Sequence, residues 1–297
     1  MTIAPITYWN RHAGRLEQEL VYGEGALRWM YETRPGRTLG EGLLSRGWVS
    51  ALYGAVQDTR WSAGKVAPFV AKFGIPMHEY EEKRFTSFND FFIRRFKPGA
   101  RPFTANPHEL AAFAEARYFA MDRLDPAMRF PVKGIALSAA ELLGDTTLAA
   151  PFERGPAFIA RLCPVDYHRF HFPDGGRITH RAGRAGPLHS VNPLALQFKP
   201  DILVTNERQI SILETDGFGR VAYVEVGATM VGKIVQTHPE TAPFQRGDEK
   251  GYFLFGGSTV VVLGEAGAWT PDPDLLEQSR AGRETLVRLG ERIAARS

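Results

Sequence analysis

Apolar residues recur at three- and four-residue intervals through the first seventy-odd positions, then gather into short runs from about residue 110 onward. The early segment ALRWMYETRPGRTLGEGLLSRGWVSALYGAVQDTRW predicts amphipathic helices. Trp29, Met30, Tyr31, Leu43, Leu44, Trp48, Leu52, Tyr53 and Trp61 are interspersed there with Arg28, Arg34, Arg37, Arg46 and Arg60. Trp, Tyr and Arg mixed on amphipathic segments suit a helix lying in a membrane interface. Packing of the same aromatics on the rest of the protein accounts for them equally well.

In RFTSFNDFFIRRFKPGARPF, Ser87 and Asp90 have the form of a capping box, and Phe88, Phe91, Phe92 and Phe96 have helical spacing. Pro98-Gly99 should end that core-facing helix. Further on, ARYFAM, AFIARLC, DILVTN, QISILE, RVAYVEVG, TMVGKIV, KGYFLF and STVVVL read as strands between Gly, Pro, Asn and Asp clusters. TNER looks like a hairpin turn, SAAELLGD a short helix, and RETLVRLGERIAARS a terminal amphipathic helix through Leu286, Leu289, Ile293 and Ala294. The predicted class is α+β: a helical, membrane-associating N-terminal region over residues 1–75, then a mainly antiparallel, β-rich catalytic domain over 76–297.

Composition narrows this little. Hydrophobic residues at 44% and charged residues at 23% suit a soluble globular chain with an adequate core. No run of eighteen apolar residues predicts a spanning helix, and MTIAPITYWNRHAGRLEQEL does not have the form of a secretory signal. The single cysteine, Cys163, excludes an internal disulfide and a cysteine-based metal cluster, and points to a reducing compartment. A net charge of +3 is too small to argue for nucleic acid, though it is compatible with anionic lipid.

Two segments could carry chemistry. LCPVDYHRFHFPDGG holds His168 and His171 with Asp166 and Arg169 beside them, between Pro164 and Pro173. Two histidines satisfied at a seam are the plain reading, and a catalytic histidine is the sharper one. The other histidines stand in no metal-binding spacing, so no metal is expected. FGGSTVVVL puts Gly256, Gly257 and Ser258 at the mouth of an apolar strand. It is not the nucleophile elbow of a hydrolase, because Val260 stands where the last glycine should be.

Taken together, these segments resemble the phosphatidylserine decarboxylases. GYFLFGGSTVVVL is similar to that family's self-cleavage site and PVDYHRFHFP to its histidine segment. HSVNPLAL, TNERQISILET, VEVGATMVGKI and FTSFNDFFIRRFKPGARPF are similar to its other blocks, so the likeness runs from about residue 25 to about residue 265. The resemblance implies that the Ser258 hydroxyl attacks the Gly257 carbonyl and turns the peptide into an ester. Elimination then gives dehydroalanine, and hydrolysis leaves a pyruvoyl group and ammonia. A large chain, 1–257, and a small chain, 258–297, result. The covalent pyruvoyl cofactor serves as electron sink when phosphatidylserine loses CO₂ to become phosphatidylethanolamine.

By the same resemblance, His171 is the base in self-cleavage and His168 serves decarboxylation as proton donor. Glu115, in FAEARYFAM, stands where the family carries an aspartate, and Phe113 replaces its proline. A glutamate can orient a histidine, but its extra methylene puts the rate of maturation in question. Asp122 or Asp125 is the alternative carboxylate for that position, an ordinary surface or turn role being the plainer reading of both. The resemblance also implies peripheral attachment at the cytoplasmic face of the cell membrane and a homodimer as a candidate assembly. The alternatives are the same chemistry on another serine lipid or a free amino acid, or an unprocessed lipid-binding scaffold.

Overall fold

The computed structural model describes residues 5–40, 42, 45–124, 137–229, 233–256 and 258–297. Leu43, Leu44, Asp125 and Gly257, named above, lie outside them, as does the middle of TMVGKIV.

A nine-stranded sheet organises the chain. From edge to edge its strands are Arg15–Gln18, Thr7–Asn10, Glu284–Val287, Ala116–Met121, Ala157–Leu162, Ser258–Gly264, Gly219–Val226, Arg208–Thr215 and Gly176–Arg184. Thr7–Asn10 runs parallel to Glu284–Val287, and the other neighbours are antiparallel. Val260, Val261, Val262 and Leu263 are all fully buried. Successive strand residues point to opposite faces, so both faces of this strand are covered, which explains its unbroken apolar run.

Two three-stranded sheets flank it. One joins Ile234–Gln236, Glu249–Phe253 and Arg169–His171, and the other joins Trp269–Pro271, Arg292–Arg296 and Glu109–Ala111. The helices Glu24–Glu32, Arg34–Leu39, Gly47–Gln57 and Val66–Phe73 follow the first hairpin. Phe69 and Ile75 join Tyr80, Phe88, Phe91, Phe92, Tyr167 and Phe255 in a second, largely aromatic core. Among the described residues no helix is long and apolar enough to cross a membrane.

Several expectations are met. Ser87 caps the helix Phe88–Phe92, its Oγ accepting the Asp90 amide at 3.0 Å. SAAELLGD contains the helix Ala139–Leu143, closed by Gly144 in the left-handed region. Others are corrected. RETLVRLGERIAARS is not a helix: it forms the strands Glu284–Val287 and Arg292–Arg296, which belong to different sheets. Gly290, at φ 81°, lies between them in a conformation that breaks a helix. DILVTN contains the short helix Ile202–Thr205, so TNER joins a helix to a strand and closes no hairpin. The N-terminal region is not purely helical either, since its first hairpin extends the sheet that carries Ser258.

Candidate active site

Ser258 opens its strand opposite Leu162 and is fully buried. Gly256, two residues earlier, has φ 148°, a conformation that side-chain-bearing residues rarely adopt. The Ser258 hydroxyl faces His168, with Oγ 3.3 Å from Nδ1. The other ring nitrogen, Nε2, lies 2.8 Å from the Cys163 carbonyl oxygen. A carbonyl can only accept, so Nε2 carries the proton and Nδ1 offers its lone pair to the serine. Phe92 stacks on this imidazole, with centroids 3.8 Å apart. Burial drives the His168 pKa down to about 3, so the ring is neutral.

The loop that carries His168 is held from two sides. Asp166 accepts the Cys163 amide at 2.7 Å and the Arg117 guanidinium at 2.6 Å. Arg94 donates to the Val165 and Asp166 carbonyls at 2.8 and 3.0 Å. Sequence reading passed over Arg94 and Phe92 as parts of a core helix. The available signal is a fixed charge, Arg94, two residues after the pair Phe91-Phe92.

His171 is arranged differently. Its Nδ1 donates to the Gly247 carbonyl at 2.8 Å, and its Nε2 accepts from the Tyr167 hydroxyl at 3.3 Å. Burial lowers its pKa as well. The ring facing Ser258 in this structure is thus that of His168, while His171 meets Gly247 and Tyr167. Glu115 is near in the chain path, because the His171 amide donates to the Phe113 carbonyl at 2.8 Å. Its carboxylate, however, is engaged by Arg101, at 2.5 and 2.8 Å, and by the Leu289 amide at 3.3 Å. Arg101 also binds Glu79 and lies over the Phe96 ring, which packs on Tyr167. Glu115 therefore reaches the histidines through Arg101 and two aromatic rings. Asp122 pairs with Arg280 at an exposed position, as a surface residue would.

A cavity of about 260 Å³ is lined by Phe255 and Gly256, just ahead of Ser258 in the chain, by Leu162 and Cys163, and by Leu27, Met30 and Tyr53. The wall is mainly apolar, and Arg161 and Glu19 supply its charge. Those two are bound to each other at 2.6 Å. The N-terminal aromatics divide between two roles. Met30 and Tyr31 are buried, whereas Trp29, Trp48, Leu52, Val56 and Trp61 are exposed, Trp61 to 94%.

The sequence profile of the phosphatidylserine decarboxylase family matches residues 88–295. A phosphatidylserine decarboxylase proenzyme of Desulfitobacterium hafniense is 40% identical over 293 residues, covering 98% of each chain. The proenzyme of Clostridium beijerinckii is 39% identical over 293 residues, covering 98% of this chain and 99% of its own. That of Clostridium botulinum strain Hall is 39% identical over 290 residues, covering 97% of this chain and 98% of its own. The chain belongs to the phosphatidylserine decarboxylase family.

Proposed function

We propose, from this membership and the buried pairing of Ser258 with His168, that the chain cleaves itself before Ser258 and decarboxylates phosphatidylserine to phosphatidylethanolamine. The single observation that carries the reading is the Ser258 hydroxyl, held 3.3 Å from a neutral imidazole nitrogen at the mouth of a buried strand. A serine in that position fits the precursor of a pyruvoyl group, which would supply the electron sink that side chains lack. The surrounding core keeps bulk water from Ser258.

The neighbouring cavity is the proposed seat of the substrate. It is smaller than the roughly 300–1,000 Å³ usual for drug-sized ligands, which suits a headgroup rather than two acyl chains. The exposed stripe of Trp48, Leu52 and Val56 on the helix Gly47–Gln57, with Trp61 just beyond it, supports a peripheral membrane contact. Arg46 and Arg60 flank that stripe with positive charge.

For the histidines we keep the roles that family likeness assigns. His168 faces the residue whose Cα would become the pyruvoyl carbonyl carbon. Its Nδ1 carries no proton in the uncut chain, so as donor it would first take up one that the substrate ammonium releases. In the uncut chain its unprotonated Nδ1 orients the hydroxyl. His171 is then the cleavage base, and its long 3.3 Å bond to Tyr167 must be exchanged. A second reading, favoured by the Ser258–His168 contact, gives His168 both tasks. His171→Ala that stays uncut, beside His168→Ala that cuts yet is inactive, supports the first reading. The reverse pattern of cutting supports the second.

The reaction is tested by incubating the purified protein with phosphatidylserine vesicles and following release of CO₂. Release that a carbonyl reagent abolishes, and that Ser258→Ala lacks, is expected. Release from free serine but not from the lipid would move the activity to the soluble-substrate alternative.

A further inference from the structure

Several polar side chains are buried against the aromatic cluster, and one of them, Asn89, bridges two parts of the molecule. Asn89 lies on the helix Phe88–Phe92 and is 2% exposed. Its Oδ1 accepts the Phe255 amide at 2.9 Å. Its Nδ2 donates to the Asp58 carboxylate at 2.8 Å and to the Gly54 carbonyl at 3.3 Å. Each heteroatom of the amide is therefore used, and the two ends serve different parts of the molecule.

Phe255 is three residues before Ser258 and forms part of the cavity wall. Gly54 and Asp58 are at the C-terminal end of the helix Gly47–Gln57, whose outer face bears Trp48, Leu52 and Val56. Asn89 thus sits between the exposed apolar helix and the loop leading into the scissile bond. Its neighbours reinforce the joint. The Phe88 amide donates to Ser62 Oγ at 2.8 Å, and that hydroxyl also lies within hydrogen-bond reach of the Gln57 and Thr59 carbonyls. The Phe255 ring packs edge-on against Phe88 and Phe92, and Phe92 covers His168.

A buried donor or acceptor without a partner is costly, so the Phe255 amide is pinned wherever Asn89 is pinned. Displacement of reacting atoms on the order of 1 Å can slow a reaction about 10²-fold. We propose that Asn89 is a positioning residue for self-cleavage: it fixes the strand entry at Phe255 and ties it to the seating of the helix Gly47–Gln57. The proposal rests on the self-cleavage reading, and its test separates the two.

The test is a pulse-chase time course of small-chain appearance in freshly translated, still uncut chain, with uncut stability and amide exchange measured in the Ser258→Ala background. Asn89→Leu keeps the volume and removes both polar ends, and should cut on the order of 10–10²-fold more slowly, with faster exchange of the Phe255 amide. Asn89→Asp keeps the acceptor for Phe255 but sets a carboxylate against Asp58. It too should slow cleavage while the Phe255 amide remains protected. Asn89→Asp combined with Asp58→Asn exchanges carboxylate and amide between the two positions, and should restore the rate. A general loss of stability would not follow that pattern. Wild-type cutting by Asn89→Leu, or failure of the double exchange to rescue while the protein stays folded, would overturn the proposal. A wild-type chain that never cuts would instead overturn the self-cleavage reading.

Discussion

Phe92 lies against the imidazole of His168, with ring centroids 3.8 Å apart and 23° between the planes. Both rings are fully buried. The contact shields the histidine nearest Ser258 from water and confines the ring to one orientation, with Cys163 fixing its tautomer.

Removing that wall should be felt twice. In the Ser258→Ala background, Phe92→Ala is expected to lose about 3–5 kcal/mol of stability in urea unfolding, as for a buried aromatic elsewhere. The milder Phe92→Leu should let the His168 pKa rise from about 3 toward its ordinary 6.5, measurable by NMR titration of the ring. An unmoved titration would mean that Phe92 has no part in holding the ring neutral.

Stability should fall with acidification before the carboxylates titrate. His168 and His171 are both held below their ordinary pKa, chiefly by burial. From pH 6.5 downward the unfolded chain therefore binds protons that the folded chain does not. The stabilisation is complete above about 6.5 and is lost as pH falls, by up to about 1.4 kcal/mol per pH unit for each histidine. Glu19 adds nothing between pH 7 and 5. Burial opposes its charge, but Arg161 and Arg117 outweigh that and hold it at about 2, against 4.5 unfolded. Urea unfolding of Ser258→Ala at pH 7, 6 and 5 reads the slope, and His168→Gln should remove one histidine's share. An unchanged slope would contradict the neutral buried ring.

Much of the frame around this site is legible in the sequence, and the reasons are local. The capping box at Ser87, the apolar run after Ser258 and the strand ARYFAM each follow from nearest-neighbour rules that tertiary packing happens to respect. The C-terminal stretch was misread because Leu286, Leu289 and Ile293 have helical spacing by coincidence. The pattern that governs is the alternation of Thr285 and Val287 toward the core, interrupted at Gly290. DILVTN was ambiguous in principle, because a four-residue apolar run has no period to reveal. No local rule could show that Glu115 turns to Arg101, a partner fourteen residues upstream.

That ion pair gives a further expectation. Glu115→Gln leaves the buried Arg101 with Glu79 as its remaining carboxylate partner among the described contacts, and should lose roughly 1.5–3 kcal/mol. Glu115→Asp shortens the reach to Arg101 by one methylene. If Glu115 acts on His171 only through Arg101, Tyr167 and their ring contacts, Glu115→Asp should cut no faster than wild type. Faster cutting, followed on a denaturing gel, would show that the shorter carboxylate reaches a histidine directly.

The exposed helix face predicts membrane behaviour separable from folding. Replacing Trp48, Leu52 and Trp61 together by serine should reduce binding to anionic phospholipid vesicles by about 10²-fold or more, since each buried apolar side chain contributes about 1.5–3 kcal/mol. The thermal midpoint should barely move, because all three side chains are exposed. Vesicle sedimentation at matched protein concentration measures the first and calorimetry the second. Undiminished sedimentation would place the lipid contact elsewhere.

The most direct test of self-processing is the intact mass of the purified protein beside its Ser258→Ala variant. Two chains divided between Gly257 and Ser258 are expected, the smaller bearing a pyruvoyl terminus, with the variant remaining whole. A single wild-type chain of unaltered mass, under conditions where the protein is folded, would contradict the reading of Ser258 as a cofactor precursor.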